Sequence, residues 1–405
     1  MRAGGRYLLM AGLVAGACLV AAAAINLAVD PYGFYRWIDA AGFNAVKPRA
    51  GQQAMRNKVY GIVANRPDVV VLGNSRAEVG FDPRSAAWPP GANVYNAGVP
   101  GTGMENVAAL LDLAVTQGNV KTALVGLDFA DFLTTMDDEG ARPPSPATPR
   151  ATALGFAARM RDAVTAVLSF DALADSLVTL ASQRDPYAAT ITAHGFNPMH
   201  DYVAIAATEG YRALFAQRNI ENARSYLRNS LHLEPSSPPS ASWAALARMK
   251  AVCVANAIHC VFVTYPYHAD ILELIDAVGL WPSLERWKRE TVAVLAGTDS
   301  NPAERIELWD FSGYDAWTTE AVPVSKTGSS SMRWYWEAGH FKAALGERIV
   351  RRVFDGDAEP FGTRLEPANI DADLAAIRAG RDRYRAAQPA ASQAIRNLVQ
   401  RLRGR

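Results

Sequence analysis

Hydrophobic positions along this chain fall into three regimes. From Tyr7 to Val29 no charged residue appears for 23 positions. As a helix, that run is long enough to cross a hydrocarbon core of about 30 Å. Beyond it come short apolar runs: Val69–Leu72, Ala92–Tyr95, Ala123–Leu127, Cys260–Thr264 and a weaker Ile306–Trp309. Continuous runs of this length suit strands buried on both faces. Helical periodicity fills most of the gaps, over 104–116, 242–256, 269–278, 283–296 and 341–354. Strands alternating with helices predict an α/β fold: a doubly wound, flavodoxin-like three-layer sandwich with about five parallel strands, preceded by one transmembrane helix. A third regime covers 371–403, which reads as one long helix broken near Pro389 and ending in Arg401, Arg403 and Arg405.

More than a hundred residues separate the third and fourth strands. The insertion, taken as 133–240, opens with proline-rich Arg142–Arg150 and closes after Glu234 with Pro-Ser-Ser-Pro-Pro-Ser. Helical patterns occupy it near 156–180 and 208–231. An excursion leaving the strand ends of such a sheet is placed to cover a site, so a lid is expected, with a structural helical cap as the plainer reading. The chain therefore divides into a cytoplasmic N-terminus (1–6), a span (7–29), a connector (30–66), the α/β domain with its insertion (67–360) and a C-terminal helix (361–405).

Charge orients the span. Arg2 and Arg6 precede it, and the next charge is Asp30, followed by the helix stops Pro31 and Gly33. Positive charge in front predicts a cytoplasmic N-terminus and an exported remainder: a single-pass inner-membrane protein with its bulk in the periplasm. A cleaved signal peptide is the main rival, with small residues at Ala21–Ala24, and a lipoprotein at Cys18 is a second. The apolar run continues past both points, which favours an anchor. Export leaves two readings of Cys253 and Cys260 open, a disulfide or two buried thiols.

Composition narrows the function classes. Half the residues are hydrophobic and a fifth are charged, as in a globular protein. With 41 basic against 40 acidic side chains, the net charge of +1 offers no footprint for nucleic acid. Three cysteines make neither a disulfide scaffold nor a four-thiolate zinc site. No metal-ligand spacing is recognisable, and neither metal nor cofactor is expected.

Ligands of open α/β sheets bind beyond the carboxyl ends of the strands. Here those ends carry Gly73-Asn74-Ser75-Arg76, Asn96-Ala97-Gly98, Asp128-Phe129, Tyr265-Pro266-Tyr267-His268 and Asp310. Near the C-terminus, His340 has an acid, Glu337, three residues before it, the only one of six histidines so placed. Serine, acid and histidine are the parts of a nucleophilic triad, in which imidazole takes the hydroxyl proton and carboxylate orients the imidazole.

These blocks resemble those of the SGNH (GDSL-like) hydrolases. Gly73-Asn74-Ser75-Arg76 is similar to their first block, Asn96-Ala97-Gly98-Val99-Pro100-Gly101 to their glycine block, and Glu337-Ala338-Gly339-His340 to their last, usually Asp-x-x-His. The resemblance runs from about Pro67 to Phe354, apart from the insertion. More narrowly, the chain is similar to a membrane-anchored bacterial branch related to exported polysaccharide O-acetyltransferases. It implies Ser75 as nucleophile, His340 as general base and then acid, Glu337 as its orienter, and the N–H groups of Ser75 and Gly98 as oxyanion donors. It also implies acyl-ester hydrolysis or transfer through an acyl-serine on a cell-envelope glycan, with a membrane-bound acyltransferase as a partner. A different class of function is a catalytically inactive scaffold or glycan-binding component of a membrane polysaccharide-assembly complex.

Three departures matter. The third block of the family carries an asparagine that completes the oxyanion hole, whereas this chain has Gly126-Leu127-Asp128-Phe129. An ionised Asp128 repels a developing oxyanion unless it is protonated, turned away or bound, for instance to Arg76. Glu337 replaces the usual aspartate, and Asn74 removes a charge beside the nucleophile. Plainer roles stand beside the chemical ones: Ser75 as a helix N-cap, Arg76 in a salt bridge to Asp128 or Glu105, and His340 as an interfacial histidine. Asn96 is expected at the rim of the site. His268, Tyr265 and His200 are weaker candidates for lining it.

Overall fold

The computed structural model describes residues 2–135, 164, 167–228, 231–296, 306–323, 331–356 and 359–404. The proline-rich 142–150 and the start of the first helical pattern of the insertion lie outside them. The described helices are α1 (Arg2–Val29), α2 (Ala54–Asn65), α3 (Ser75–Gly80), α4 (Met104–Thr116), α5 (Phe170–Ala181), α6 (His200–Glu209), α7 (Tyr211–Tyr226), α8 (Ala241–Ala255), α9 (Ala269–Ala277), α10 (Trp281–Leu295), α11 (Ala343–Phe354), α12 (Ile370–Ala387) and α13 (Pro389–Arg403). The strands are β1 (Val69–Leu72), β2 (Val94–Asn96), β3 (Thr122–Leu127), β4 (Leu133–Thr134), β5 (His232–Leu233), β6 (His259–Thr264), β7 (Ile306–Asp310), β8 (Tyr335–Glu337), β9 (His340–Phe341) and β10 (Thr363–Arg364).

The protein is of the α/β class. Its principal sheet has the order β10-β7-β6-β3-β1-β2. The five inner strands pair in parallel, and β10 joins antiparallel at one edge. The central strands are buried apart from the first residues of β3 and β6, Thr122 and His259, as a sheet covered on both faces requires. Winding reverses between β1 and β3. From β1 the chain steps outward to β2, then returns across β1 to β3 and continues through β6 to β7. Register aligns the strand ends. Val71 lies opposite Asn96, Leu72 opposite Val125, Leu127 opposite Thr264, and Thr264 opposite Asp310. Ser75, Asp128 and Tyr265 therefore leave the sheet on one edge.

α1 is one helix long and apolar enough to cross a membrane, over Gly4–Val29. The insertion leaves and re-enters through β4 and β5, which pair with each other as a separate two-stranded sheet. The C-terminal segment is two helices, because Pro389 cannot continue α12 but suits the first turn of α13. Cys253 and Cys260 are free and buried, so of their two readings the thiols are present. Burial, reinforced by a contact with Cys253, pushes the Cys260 thiol up.

At the end of β7, Asp310 forms a buried ion pair with Lys288 of α10. Asp373 of α12 faces this pair. Burial, and then the Asp310 charge, raise its carboxyl from 3.8 to about 7. A raised folded-state value means stability that is present below the unfolded value and lost as pH rises through about 7. Asp373→Asn is expected to remove that loss. Relative to wild type it should gain about 1 kcal/mol at pH 8 and nothing near pH 4, less than the full shift implies because the carboxyl is partly solvated. Paired thermal melts at the two pH values check this.

Candidate active site

The turn that presents Ser75 is built by Gly73 and Asn74. Gly73 sits at φ +144°, a conformation that side chains disfavour, directly under Tyr265. Asn74 then caps α3, its side-chain oxygen accepting from the Arg76 N–H at 3.0 Å. Ser75 is consequently the first helical residue and not the cap, which leaves its hydroxyl available.

The partner of that hydroxyl comes from the other end of the chain. β8 and β9 form a tight hairpin in which Glu337 lies opposite His340 across Ala338-Gly339. The sequence predicts a helix over 341–354 with His340 at its start; that helix, α11, begins at Ala343, and the histidine belongs to the hairpin. His340 Nε2 lies 2.8 Å from Ser75 Oγ, and Nδ1 is bonded to Glu337. The second oxygen of Glu337 accepts the Gly339 N–H at 2.7 Å. With Nδ1 donating to the carboxylate, Nε2 is the acceptor that faces the serine. Glu337 is only 1% exposed. Burial raises its carboxyl, but His340, the Gly339 N–H and Arg76 together outweigh that and hold it below its ordinary range. It therefore stays ionised beneath the imidazole.

Asp128 accepts four donors: Asn74 Nδ2 at 2.7 Å, Tyr267 Oη at 2.8 Å, the Ala130 N–H at 3.1 Å and the Arg76 guanidinium. Of the readings open for Asp128, binding to Arg76 is the one present. Burial disfavours the Arg76 charge, yet the Asp128 carboxylate more than compensates and raises its affinity for the proton. Arg76 also lies over the Tyr267 ring. The site thus carries a neutralised ion pair, the bound alternative among the readings open for Asp128.

Two glycine-block expectations are corrected. The Gly98 N–H already donates to Asn96 Oδ1 at 2.9 Å, so it is not an oxyanion donor. A Cβ on Gly98 would stand 2.6 Å from the Glu78 nitrogen, so this glycine serves the close approach of its loop to α3. Asn96 is fully buried and does not rim the site. Its Nδ2 donates to the carbonyls of Ala77, Glu78 and Phe81 and so closes the C-terminal end of α3. The glycine of this block that lines the same cleft as Ser75 is Gly101, at φ +67° in the Val99-Pro100-Gly101-Thr102 turn. Pro-Gly is the signal for such a turn, and it could have been read from sequence.

The remaining candidates separate. Tyr265 is buried, wedged against Gly73 and Gly126. His268 is also buried and caps α9. Its Nδ1 accepts from the Asp270 N–H and its Nε2 meets the Glu320 carbonyl at 2.9 Å. Both belong to the support beneath the site. His200 is exposed at the start of α6.

A cleft of about 400 Å³ opens over Ser75. Its walls include Asn74, Arg76 and Gly101 from the strand ends and Asn222, Ser225 and Tyr226 from α7 of the insertion. The insertion residues carry no motif and were not legible as part of the site. Among the described residues there is no cluster of three or more His, Cys, Asp or Glu that would hold a metal ion. No family model matches the chain, and no curated protein matches its sequence.

Proposed function

We propose that the protein is a membrane-anchored, exported SGNH-like serine acyl esterase or O-acyltransferase acting on a cell-envelope glycan. The observation that carries this reading is the Ser75–His340–Glu337 relay: 2.8 Å from hydroxyl to imidazole, and a buried, ionised carboxylate behind the ring. The strand order β2-β1-β3-β6-β7 also supports it, being that of a doubly wound sheet with its site at the reversal.

In this reading Ser75 Oγ attacks the acyl carbonyl carbon as its proton passes to His340 Nε2. Glu337 stabilises the resulting imidazolium. The developing oxyanion is met by backbone N–H groups at Ser75, which as the first residue of α3 has no intrahelical acceptor, and at Gly101. Collapse expels the alcohol, which takes the proton from His340 and leaves an acyl-serine. Water, or a glycan hydroxyl deprotonated by the same histidine, then attacks that ester and restores Ser75.

The glycan is supported by the hydrogen-bonding character of the cleft and by α1, which suits a chain held at the membrane with its bulk in the periplasm. An inactive scaffold drew its support from Asp128, and the pairing of Asp128 with Arg76 weakens that support. The test is covalent labelling of the full chain by a fluorophosphonate probe. Wild type is expected to label at Ser75 and Ser75→Ala not at all. Wild type that remains unlabelled, with an unchanged circular dichroism spectrum, overturns the enzyme reading and favours the scaffold.

A further inference from the structure

We propose that the domain is seated on the bilayer by an apolar collar around the outer end of α1, and is not merely tethered by that helix. Two segments grip the last turns of α1. Asn44 Nδ2 donates to the carbonyls of Ala28, Val29 and Ile38, which fixes the 37–44 loop against the helix end. Asn26 Nδ2 donates to the carbonyls of Val167 and Ser169, and its Oδ1 accepts from Ser176, which fixes α5 alongside.

α5 is amphipathic in the opposite sense to a helix of a soluble protein. Its small and polar residues Ala172, Ser176 and Thr179 are buried, while Phe170 is 73% exposed and Leu177 59%. Leu180 lies on the exposed side as well. Across the helix end, Trp37 is 72% exposed, with Ile38 and Phe43 also turned out. Six large apolar side chains thus stand exposed on two segments that are joined to α1 at one point, Asn26–Val29.

The position of that point identifies what covers them. At 1.5 Å per residue, Asn26 stands about 30 Å along the helix from Tyr7, one hydrocarbon thickness from the charged end. Residues 4–21 of α1 are all exposed from the protein. The collar is continuous with that surface and falls at the outer boundary of the hydrocarbon, where tryptophan and other apolar anchors are enriched. The occupant is lipid at the headgroup–acyl boundary. This does not depend on the chemistry at Ser75.

The full chain, with Cys18→Ser to remove its exposed thiol, is reconstituted in vesicles of phosphatidylethanolamine and phosphatidylglycerol. Nitroxide spin labels are placed singly at 37, 170 and 177. Position 10, inside the span, is the lipid reference, and exposed Gln393 on α13 is the aqueous one. The expected result is an oxygen-over-nickel collision preference at the three collar positions, shifted toward that of position 10. Nickel-favoured collisions matching position 393 overturn the proposal. Protection from both reagents overturns it too, because the face is then covered by protein, whether another part of this chain or a partner.

Discussion

His340→Ala is expected to slow fluorophosphonate labelling of Ser75 by about 10²–10⁴-fold, the range that a positioned general base contributes. The reason is geometric. Nε2 is the group within hydrogen-bonding reach of Ser75 Oγ that can take its proton, and the turn that presents the serine is capped by Asn74 and stands without the histidine. Glu337→Gln extends the test. A glutamine amide can donate to Nδ1, which drives the ring proton to Nε2 and turns the acceptor facing Ser75 into a donor. The variant should therefore lose rate as severely as one that lacks the base, although its shape is nearly unchanged. Near-wild-type labelling of Glu337→Gln would mean that the carboxylate does not set the tautomer. Time courses of probe incorporation at several probe concentrations separate rate from occupancy.

Glu78→Ala is expected to destabilise the fold by about 3–5 kcal/mol, the cost of stranding a buried charge. Lys58 and Glu78 are both buried and 3.0 Å apart, with the lysine ammonium also reaching the Gly195 carbonyl. Burial pulls the lysine's proton affinity down and Glu78 resists it. Removing Glu78 leaves the ammonium with carbonyls alone. The pair ties α3, which carries Glu78 three residues after Ser75, to Lys58 of α2, so the same loss should loosen the Ser75 turn. The double variant Lys58→Met with Glu78→Leu removes both charges and should recover much of the stability. Chemical unfolding of the three variants beside wild type checks the ordering. Equal losses in the single and double variants would contradict the stranded-charge account.

How far sequence reaches into this molecule depends on which forces act locally. β1, β3 and β6 were legible because strands buried on both faces leave unbroken apolar runs. β10 left no such signal: Thr363-Arg364 is two residues at an edge, held by its pairing with β7. The hairpin of Glu337 and His340 was read as the lead-in to a helix, because three aromatic residues and a glycine carry no clear period. At the site, the serine, histidine and acid were visible as types in order. What could not be seen was how hydrogen bonds are apportioned. Gly98 and Gly101 look alike in sequence, yet the Gly98 N–H is consumed by Asn96 while Gly101 lines the cleft. Likewise Asp128 reads as a liability until its four donors are in place.

The β4–β5 pairing has a consequence for how such a protein diversifies. The insertion departs and returns through one two-stranded gate, with Leu133 opposite Leu233, so its two ends are fixed beside each other whatever lies between. Lengthening a loop whose ends are already joined costs little free energy. Behind that gate the excursion docks back on the fold, the His194 carbonyl accepting the Asn96 N–H at 2.9 Å and the Asn197 N–H reaching the Glu78 carbonyl of α3 at 3.3 Å, while α7 within it supplies a wall of the cleft. A change in the segment behind the gate is therefore felt at two places at once, the wall of the cleft and the underside of α3, so that the shape of the cleft and the setting of Ser75 are coupled.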